Sequence, residues 1–295
     1  MKAVFLGVMI SVCCAACSFA SGSKEGRESD ALQETEARAE YAYSEKELWC
    51  RNGSREIYGI LYQPEREGKV PLIIYSHGLN STHESGASYG YYWAEKGIAL
   101  YCFDFCGGSE DSRSDGSCLE MSVMTEVSDL EAVLKAAMEW DFVDTERIVL
   151  AGESQGGIVT ALAAAGNGDK IEAAILQCPA FNIPDLVRET FQAKEDIPDS
   201  MFFQALTVGR TYFEDVWELD PYTEIGAFKK PVLLLHGTRD DIVDIRYSEY
   251  AARIYKDMEF MRIEGAGHHL IGDRPGQVIS CMDSFLANIG WEELK

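Results

Sequence analysis

The segment Gly152-Glu153-Ser154-Gln155-Gly156-Gly157 is the most informative part of the chain about its fold, because it joins an apolar run, Arg147–Ala151, to a run of small residues, Ser154–Ala165. The first run is typical of a buried strand and the second of a helix. G-x-S-x-G at such a junction places the serine on a sharp, strained turn, where glycines let strand and helix approach without Cβ clashes. The alternative is a glycine-rich strand–helix turn without chemistry. The context favours Ser154 as a nucleophile.

Strand-like and helical runs alternate along the rest of the chain. The predicted strands are Arg55–Gln63, Pro71–Tyr75, Gly97–Phe103, Arg147–Ala151, Ala173–Gln177, Pro231–Leu235 and Met258–Ile263. The predicted helices are Met124–Trp140, Ser154–Ala165 and Gln277–Asn288. This alternation predicts an α/β fold with a mainly parallel sheet covered on both faces. Functional loops then lie at the carboxyl ends of the strands.

The segment between Pro179 and Lys230 breaks this alternation and is rich in aromatic residues. We interpret about residues 181–228 as a small cap inserted into a hydrolase domain that spans residues 45–295. The alternative is a pair of ordinary amphipathic helices packed on the edge of the sheet.

A serine hydroxyl is a weak nucleophile and needs a base. In a fold with this nucleophile turn, the triad runs in the order serine, acid, histidine. His268 follows a strand in the glycine-containing segment Glu264–His269, which favours it over the neighbouring His269. His236 ends a predicted strand, where a histidine is more often part of the scaffold.

The acid should follow a strand and precede His268. Three candidates lie after Leu233–Leu235: Asp240, Asp241 and Asp244. Its role is to accept the second ring N–H of the histidine and to stabilise the imidazolium. We select Asp240.

An acyl-transfer site also needs donors for the oxyanion. The backbone N–H of Gln155, directly after the nucleophile, is one expected donor. The second should come from the loop after an early strand, here Ser76–Asn80, in which Leu79 is the expected donor. The mechanism requires neither a metal nor an organic cofactor.

These motifs, His77-Gly78, Gly152–Gly157, His236–Asp240 and Gly265–His268, resemble the α/β-hydrolase superfamily. Within it the chain is similar to bacterial cinnamoyl/feruloyl esterases and to serine-aminopeptidase-like hydrolases. The resemblance covers about residues 50–290 and implies a cap that shapes an acyl or phenolic pocket. Two positions depart from the esterase pattern: Cys106 stands where arginine is frequent, and Glu153 where histidine is frequent.

The N-terminal residues have the composition of an export signal. Lys2 precedes a run of apolar residues that is too short to span a bilayer. We predict a signal peptide over residues 1–20, followed by a flexible tether at 21–44. Cys14–Cys17 resembles a lipobox with Cys17 as the lipidated residue, and ordinary cleavage after Ala20 is the alternative. Export permits disulfides, but the sequence fixes no pairing.

The formal net charge of −23 disfavours nucleic acid as a partner. The expected partner is a small-molecule ester, cleaved through an acyl-enzyme and carrying a short-chain or hydroxycinnamoyl group. One alternative is an exported serine peptidase or acyl-aminoacyl hydrolase with the same triad. The other is a binding lipoprotein without enzymatic activity, which the complete set of catalytic residue types disfavours.

Overall fold

The computed structural model describes residues 41–204 and 206–294. The strands of this part of the chain are β1 (Tyr43–Asn52), β2 (Arg55–Pro64), β3 (Val70–Ser76), β4 (Ala99–Phe103), β5 (Val143–Glu153), β6 (Ala173–Gln177), β7 (Ser200–Phe203), β8 (Leu206–Gly209), β9 (Val232–Gly237) and β10 (Met258–Ile263). The predicted leader at residues 1–20, with Cys17, and residues 21–40 of the predicted tether lie outside the described residues.

The helices of the described chain are α1 (Ala87–Ala94), α2 (Val123–Ala137), α3 (Ser154–Gly166), α4 (Ile183–Thr190), α5 (Arg210–Glu214), α6 (Pro221–Ile225), α7 (Arg246–Ala251), α8 (Leu270–Asp273) and α9 (Pro275–Asn288). Short 3₁₀ helices cover His83–Gly86, Lys194–Asp196 and Glu292–Leu294. None of these helices combines the length and apolar composition that crossing a bilayer would require.

Eight strands form one sheet in the order β1-β2-β4-β3-β5-β6-β9-β10. The pairs β1/β2 and β2/β4 are antiparallel, and every pairing from β4 to β10 is parallel. The apolar side chains of β3, β5, β6 and β9 are buried on both faces of the sheet. One face packs with buried residues of α2 and α3, and the other with those of α1 and α9. The predicted parallel, doubly covered sheet is therefore present.

The start of the folded domain differs from the sequence-based expectation. β1 begins at Tyr43, inside the range predicted as tether, and pairs with β2 through a hairpin whose Gly53 has a φ of +60°. It was missed because it is an edge strand with many exposed polar residues. The segment between β6 and β9, predicted as an inserted cap at about residues 181–228, contains the β7–β8 hairpin as well as α4, α5 and α6.

The cysteines of the described chain are all free thiols. Cys102 and Cys178 are buried in the apolar layers beside the sheet, as their strand-like surroundings indicated.

Candidate active site

The turn between β5 and α3 carries Ser154 in the left-handed region, with a φ of +53°. A non-glycine residue in this region is strained by about 1–3 kcal/mol. The flanking glycines are required by close backbone approach. A Cβ at Gly152 would lie 2.4 Å from the carbonyl oxygen of Gly156, and a Cβ at Gly156 would lie 2.3 Å from the carbonyl oxygen of His77. The strand, the helix and the loop after β3 therefore fix the position of the serine hydroxyl at the carboxyl end of β5.

Three side chains from different strand ends form a hydrogen-bonded chain. The Nε2 atom of His268 lies 2.9 Å from Ser154 Oγ, and its Nδ1 atom lies 2.7 Å from Asp240 Oδ2. The carboxylate accepts from Nδ1–H, which leaves Nε2 free to accept the serine proton. The sequence-predicted Ser154, His268 and Asp240 thus come together, whereas Asp241 and Asp244 are exposed.

Asp240 is held as a carboxylate by its neighbours. Burial acts to raise its pKa, but hydrogen bonds from His236 and His268 keep the pKa of Asp240 well below its usual range. The backbone N–H groups of Ile242 and Val243 also donate to Oδ1, each over 2.9 Å. Asp240 is therefore ionised at neutral pH and fixes the His268 ring in one orientation.

His236 has the contacts of a scaffold residue. Its side chain is fully buried, with Nδ1 2.7 Å from Ser248 Oγ and Nε2 2.9 Å from the carbonyl oxygen of Val243. Since Nε2 also lies 3.2 Å from Asp240 Oδ2, it faces two acceptors and carries the proton. His236 therefore holds the acid loop on β9.

The loop after β3 brings the second expected oxyanion donor to the site. His77 is buried, and its Nε2 accepts the backbone N–H of Phe105 at 3.1 Å while Nδ1 lies 2.7 Å from the Gly78 carbonyl oxygen. Burial lowers the pKa of His77, so the ring is neutral and ties this loop to the end of β4. Leu79 and Gln155 both line the cavity beside Ser154. Gln155 lies in the first turn of α3, where N–H groups have no intrahelical acceptor.

A cavity of about 490 Å³ opens beside Ser154. Part of the lining is apolar and is here called the apolar wall. From the segment between β6 and β9 it includes Ala180, Ile183, Leu186, Phe203 and Tyr212, and the same segment contributes the polar Asn182 and Gln204. Further apolar lining comes from Leu79, Ile242, Val243 and Ile271. His269 lines the cavity as well, but His268 is the histidine that contacts Ser154.

Sequence reasoning missed two residues that support the nucleophile turn. The Gln155 side chain donates to Glu126 Oε2 at 2.9 Å and accepts from the Tyr212 hydroxyl at 2.7 Å. Glu126 and Tyr212 are both buried. Glu126 lies three residues after the buried Val123 and four before the buried Leu130, so helix periodicity places it on the buried face of α2, but a glutamate adds nothing to the apolar pattern that marks that face.

Among the described residues, one group of potential metal ligands comes together: Cys178, His236 and Asp240, with ligand atoms within 4.8 Å of one another. The donor atoms of His236 and Asp240 already take part in the hydrogen bonds that support His268. The Cys178 thiol lies against Asp240 and the backbone of Gly237, and burial raises its pKa. This donor set fits a role in holding the acid loop better than a role as a metal site.

The sequence and the fold match known hydrolases. The model of the prolyl oligopeptidase family matches residues 86–288. Among solved structures, Est1E from Butyrivibrio proteoclasticus with bound ferulic acid superposes with a TM-score of 0.73, at 25% identity. That match covers 82% of this chain and 98% of Est1E. The fold class and the similarity to feruloyl esterases predicted from the motifs are thereby confirmed.

Two curated relatives represent esterases and peptidases. The putative esterase YitV of Bacillus subtilis is 27% identical over 235 residues, which cover 71% of this chain and 87% of YitV. The acylamino-acid-releasing enzyme of Arabidopsis thaliana is 30% identical over 140 residues, 45% of this chain and 18% of that enzyme. In most of the curated relatives that it matches, the chain spans less than two thirds of the relative's length.

Proposed function

The chain belongs to the prolyl oligopeptidase family, and from this premise we propose that it is a serine esterase that cleaves carboxylic esters through an acyl-enzyme. The observation that supports this most strongly is the continuous hydrogen-bonded chain from Ser154 through His268 to Asp240. Its serine hydrolase character agrees with its esterase and peptidase relatives. The roles of individual residues and the choice of ester are our proposals.

In the first half-reaction, Ser154 Oγ attacks the ester carbonyl while His268 Nε2 accepts the hydroxyl proton. Asp240 stabilises the resulting imidazolium, which then protonates the leaving alcohol as the tetrahedral intermediate collapses. The products of this step are the free alcohol and an ester between the acyl group and Ser154.

The backbone N–H groups of Leu79 and Gln155 stabilise the oxyanion of each tetrahedral intermediate. Loss of one such donor typically raises the barrier by about 3 kcal/mol. In the second half-reaction, water gives its proton to His268 and attacks the acyl-enzyme, which releases the carboxylic acid and regenerates Ser154.

We assign the acyl group to the short-chain or hydroxycinnamoyl class. The apolar wall formed by Ile183, Leu186 and Phe203 supports this choice, since such a wall favours an aliphatic or aromatic group. The likeness to Est1E, whose structure contains ferulic acid, is consistent with a phenolic acyl group. The segment at about residues 181–228 then acts as the cap that sets acyl specificity.

The experiment is hydrolysis of a p-nitrophenyl acyl series and of methyl ferulate by wild-type protein and the Ser154→Ala variant. Ser154-dependent turnover of methyl ferulate and short-chain esters is the expected result. Turnover of simple acyl esters without turnover of methyl ferulate would support the esterase activity and contradict a hydroxycinnamoyl acyl group.

Hydrolysis of acylated amino-acid amides is the second candidate. It is favoured by the family match and by the similarity to the acylamino-acid-releasing enzyme. N-acetylalanine p-nitroanilide and N-acetylalanine p-nitrophenyl ester share an acyl group, so their kcat/KM ratio separates the two activities. A ratio that favours the anilide would select the peptidase assignment.

We further propose that the protein is exported and anchored through lipidated Cys17. The proposal rests on the sequence of residues 1–20 alone. Expression of wild type and Cys17→Ala in a bacterial host, followed by membrane fractionation, tests it. The wild type is expected in the membrane fraction and the variant outside it. Equal distribution of the two would favour ordinary cleavage after Ala20.

A further inference from the structure

The cavity beside Ser154 also has polar lining, here called the polar wall. Beyond the residues of the hydrogen-bonded chain, its polar side chains include Glu153, Ser81, Ser85, His269, Asn182 and Gln204. No lysine or arginine of the described chain lines this cavity. The wall therefore offers a carboxyl group and hydroxyls without a fixed cation, which suits a substrate group that donates hydrogen bonds.

Glu153 occupies a special position in this wall, because it directly precedes the nucleophile at the end of β5. Sheet register places it opposite Gln177 of β6, and places Tyr75 of β3 opposite Ala151. Since side chains two residues apart share a face of a strand, Tyr75, Glu153 and Gln177 lie on one face of the sheet. Glu153 is thus a carboxyl within a buried polar cluster that opens into the cavity.

The polar atoms of this cluster face one another. The hydroxyls of Tyr75 and Ser85 lie beside the Glu153 carboxyl and act as its hydrogen-bond partners. Within the described chain, the buried Gln177 Nε2 atom has no hydrogen-bond partner. A hydroxyl or ammonium group that reaches Glu153 and Ser85 would meet oxygen atoms that are already positioned to accept its hydrogen bonds.

Two opposing effects act on the Glu153 carboxyl. Burial raises its pKa, whereas the neighbouring hydroxyls of Tyr75 and Ser85 and the imidazoles of His268 and His269 act to lower it. In its ionised form, Glu153 repels a second carboxylate and accepts a hydrogen bond from a hydroxyl or an ammonium group.

We propose that Glu153 and Ser85 form a polar subsite that recognises a hydroxyl or ammonium group on the ester substrate, a few bonds from the scissile carbonyl. The inference rests on the proposed esterase function. The site would then select two features of the substrate. One is an apolar group that packs against Ile183, Leu186 and Phe203, and the other is a hydrogen-bond donor that binds Glu153. Loss of such a donor from the substrate leaves the buried polar groups unpaired and lowers kcat/KM.

The test compares esters that differ by one group of nearly equal size. Methyl 3-hydroxybutyrate and methyl 3-aminobutyrate are each paired with methyl 3-methylbutyrate, and 2-hydroxyethyl butyrate is paired with propyl butyrate. We expect the wild type to prefer at least one donor-bearing ester over its partner by about tenfold in kcat/KM. The pair that shows the preference identifies the donor as hydroxyl or ammonium and places it on the acyl or the alcohol side.

Three variants assign the preference to the subsite. In Glu153→Met and Ser85→Ala, the kcat/KM ratio should fall towards one. Glu153→Gln should retain a preference for a hydroxyl, because the amide still accepts a hydrogen bond, and should lose a preference for an ammonium group. The matched control is Glu84→Gln, an exposed neighbour of Ser85 outside the cavity, whose ratios should equal those of the wild type. Stoichiometric fluorophosphonate labelling of Ser154 verifies that each variant retains a folded site.

Two results would overturn the subsite. One is a wild-type ratio near one for every pair, and the other is a preference that survives in both Glu153→Met and Ser85→Ala. In either case, Ser154-dependent hydrolysis of methyl 3-methylbutyrate or propyl butyrate would leave the proposed esterase function intact. Absence of Ser154-dependent hydrolysis of all these esters would overturn the esterase function together with the subsite.

Discussion

The side-chain amide of Gln155 donates to the carboxyl of Glu126 across 2.9 Å, beneath the nucleophile turn. The other end of the same amide accepts the hydroxyl of Tyr212. Gln155 is thereby fixed between α2, which carries Glu126, and α5, which carries Tyr212. Because the backbone N–H of Gln155 is one of the two proposed oxyanion donors, these two contacts connect the segment between β6 and β9 to the proposed oxyanion site.

Glu126 should make stability depend on pH. Burial raises the pKa of Glu126 well above its usual range, so the folded state keeps a proton that the unfolded chain releases above about pH 4.3. The folded state binds more protons, and stability therefore falls as pH rises, by up to about 1.4 kcal/mol per pH unit for this group. Glu126→Gln should flatten that decline. Urea unfolding of both proteins at pH 5 to 8 measures it, and parallel declines would contradict a neutral Glu126.

Tyr212→Phe should weaken both the fold and catalysis. It leaves the Gln155 carbonyl oxygen unpaired in a buried position, which costs about 1–2 kcal/mol. The control is Tyr255→Phe, since the buried Tyr255 hydroxyl has no hydrogen-bond partner in the described chain and its removal should cost nothing. Chemical denaturation gives the stability difference. An equal response of the two variants would argue against the Tyr212–Gln155 contact.

Asp240→Asn should lower kcat by about 10³–10⁴-fold with the fold intact, because an amide does not fix His268 in the tautomer that accepts the serine proton. The exposed Asp244 provides the matched control, and Asp244→Asn should retain wild-type kcat. Steady-state ester hydrolysis tests the pair. Comparable losses in the two variants would remove Asp240 from its proposed role.

The nucleophile turn should store strain that a glycine releases. Ser154 has a φ of +53°, which is costly for any residue with a Cβ. Ser154→Gly should therefore be more stable than Ser154→Ala by about 1 kcal/mol, although both lack the nucleophile. Thermal unfolding of the two inactive variants isolates the backbone effect. A more stable alanine variant would show that the turn is not strained.

The sequence predicted the parts of the fold and the site that depend on a few neighbouring residues. G-x-S-x-G requires glycines for steric reasons within one turn, and the Cβ distances at Gly152 and Gly156 show those reasons directly. The order of strand ends likewise placed Asp240 and His268 near Ser154, because parallel strands end at the same edge of a sheet.

The features that the sequence did not predict depend on contacts between residues far apart in the chain. Glu126 is buried because α2 packs beside α3, which places Gln155 within reach of its carboxyl group. Asp273 accepts the backbone N–H of Gly267 at 2.6 Å and so supports the loop that carries His268, but a polar residue at a helix end gives no signal of this. β1 has too few buried residues to show the alternating apolar pattern of a half-buried strand. Its strand conformation depends on its pairing with β2.

The most direct test of the esterase assignment is fluorophosphonate labelling of the purified protein, followed by peptide mapping and parallel assay of p-nitrophenyl butyrate hydrolysis. We expect one label per molecule, on Ser154, with loss of activity in proportion to labelling, and neither label nor activity in Ser154→Ala. Label on another residue, or undiminished hydrolysis by Ser154→Ala, would contradict it.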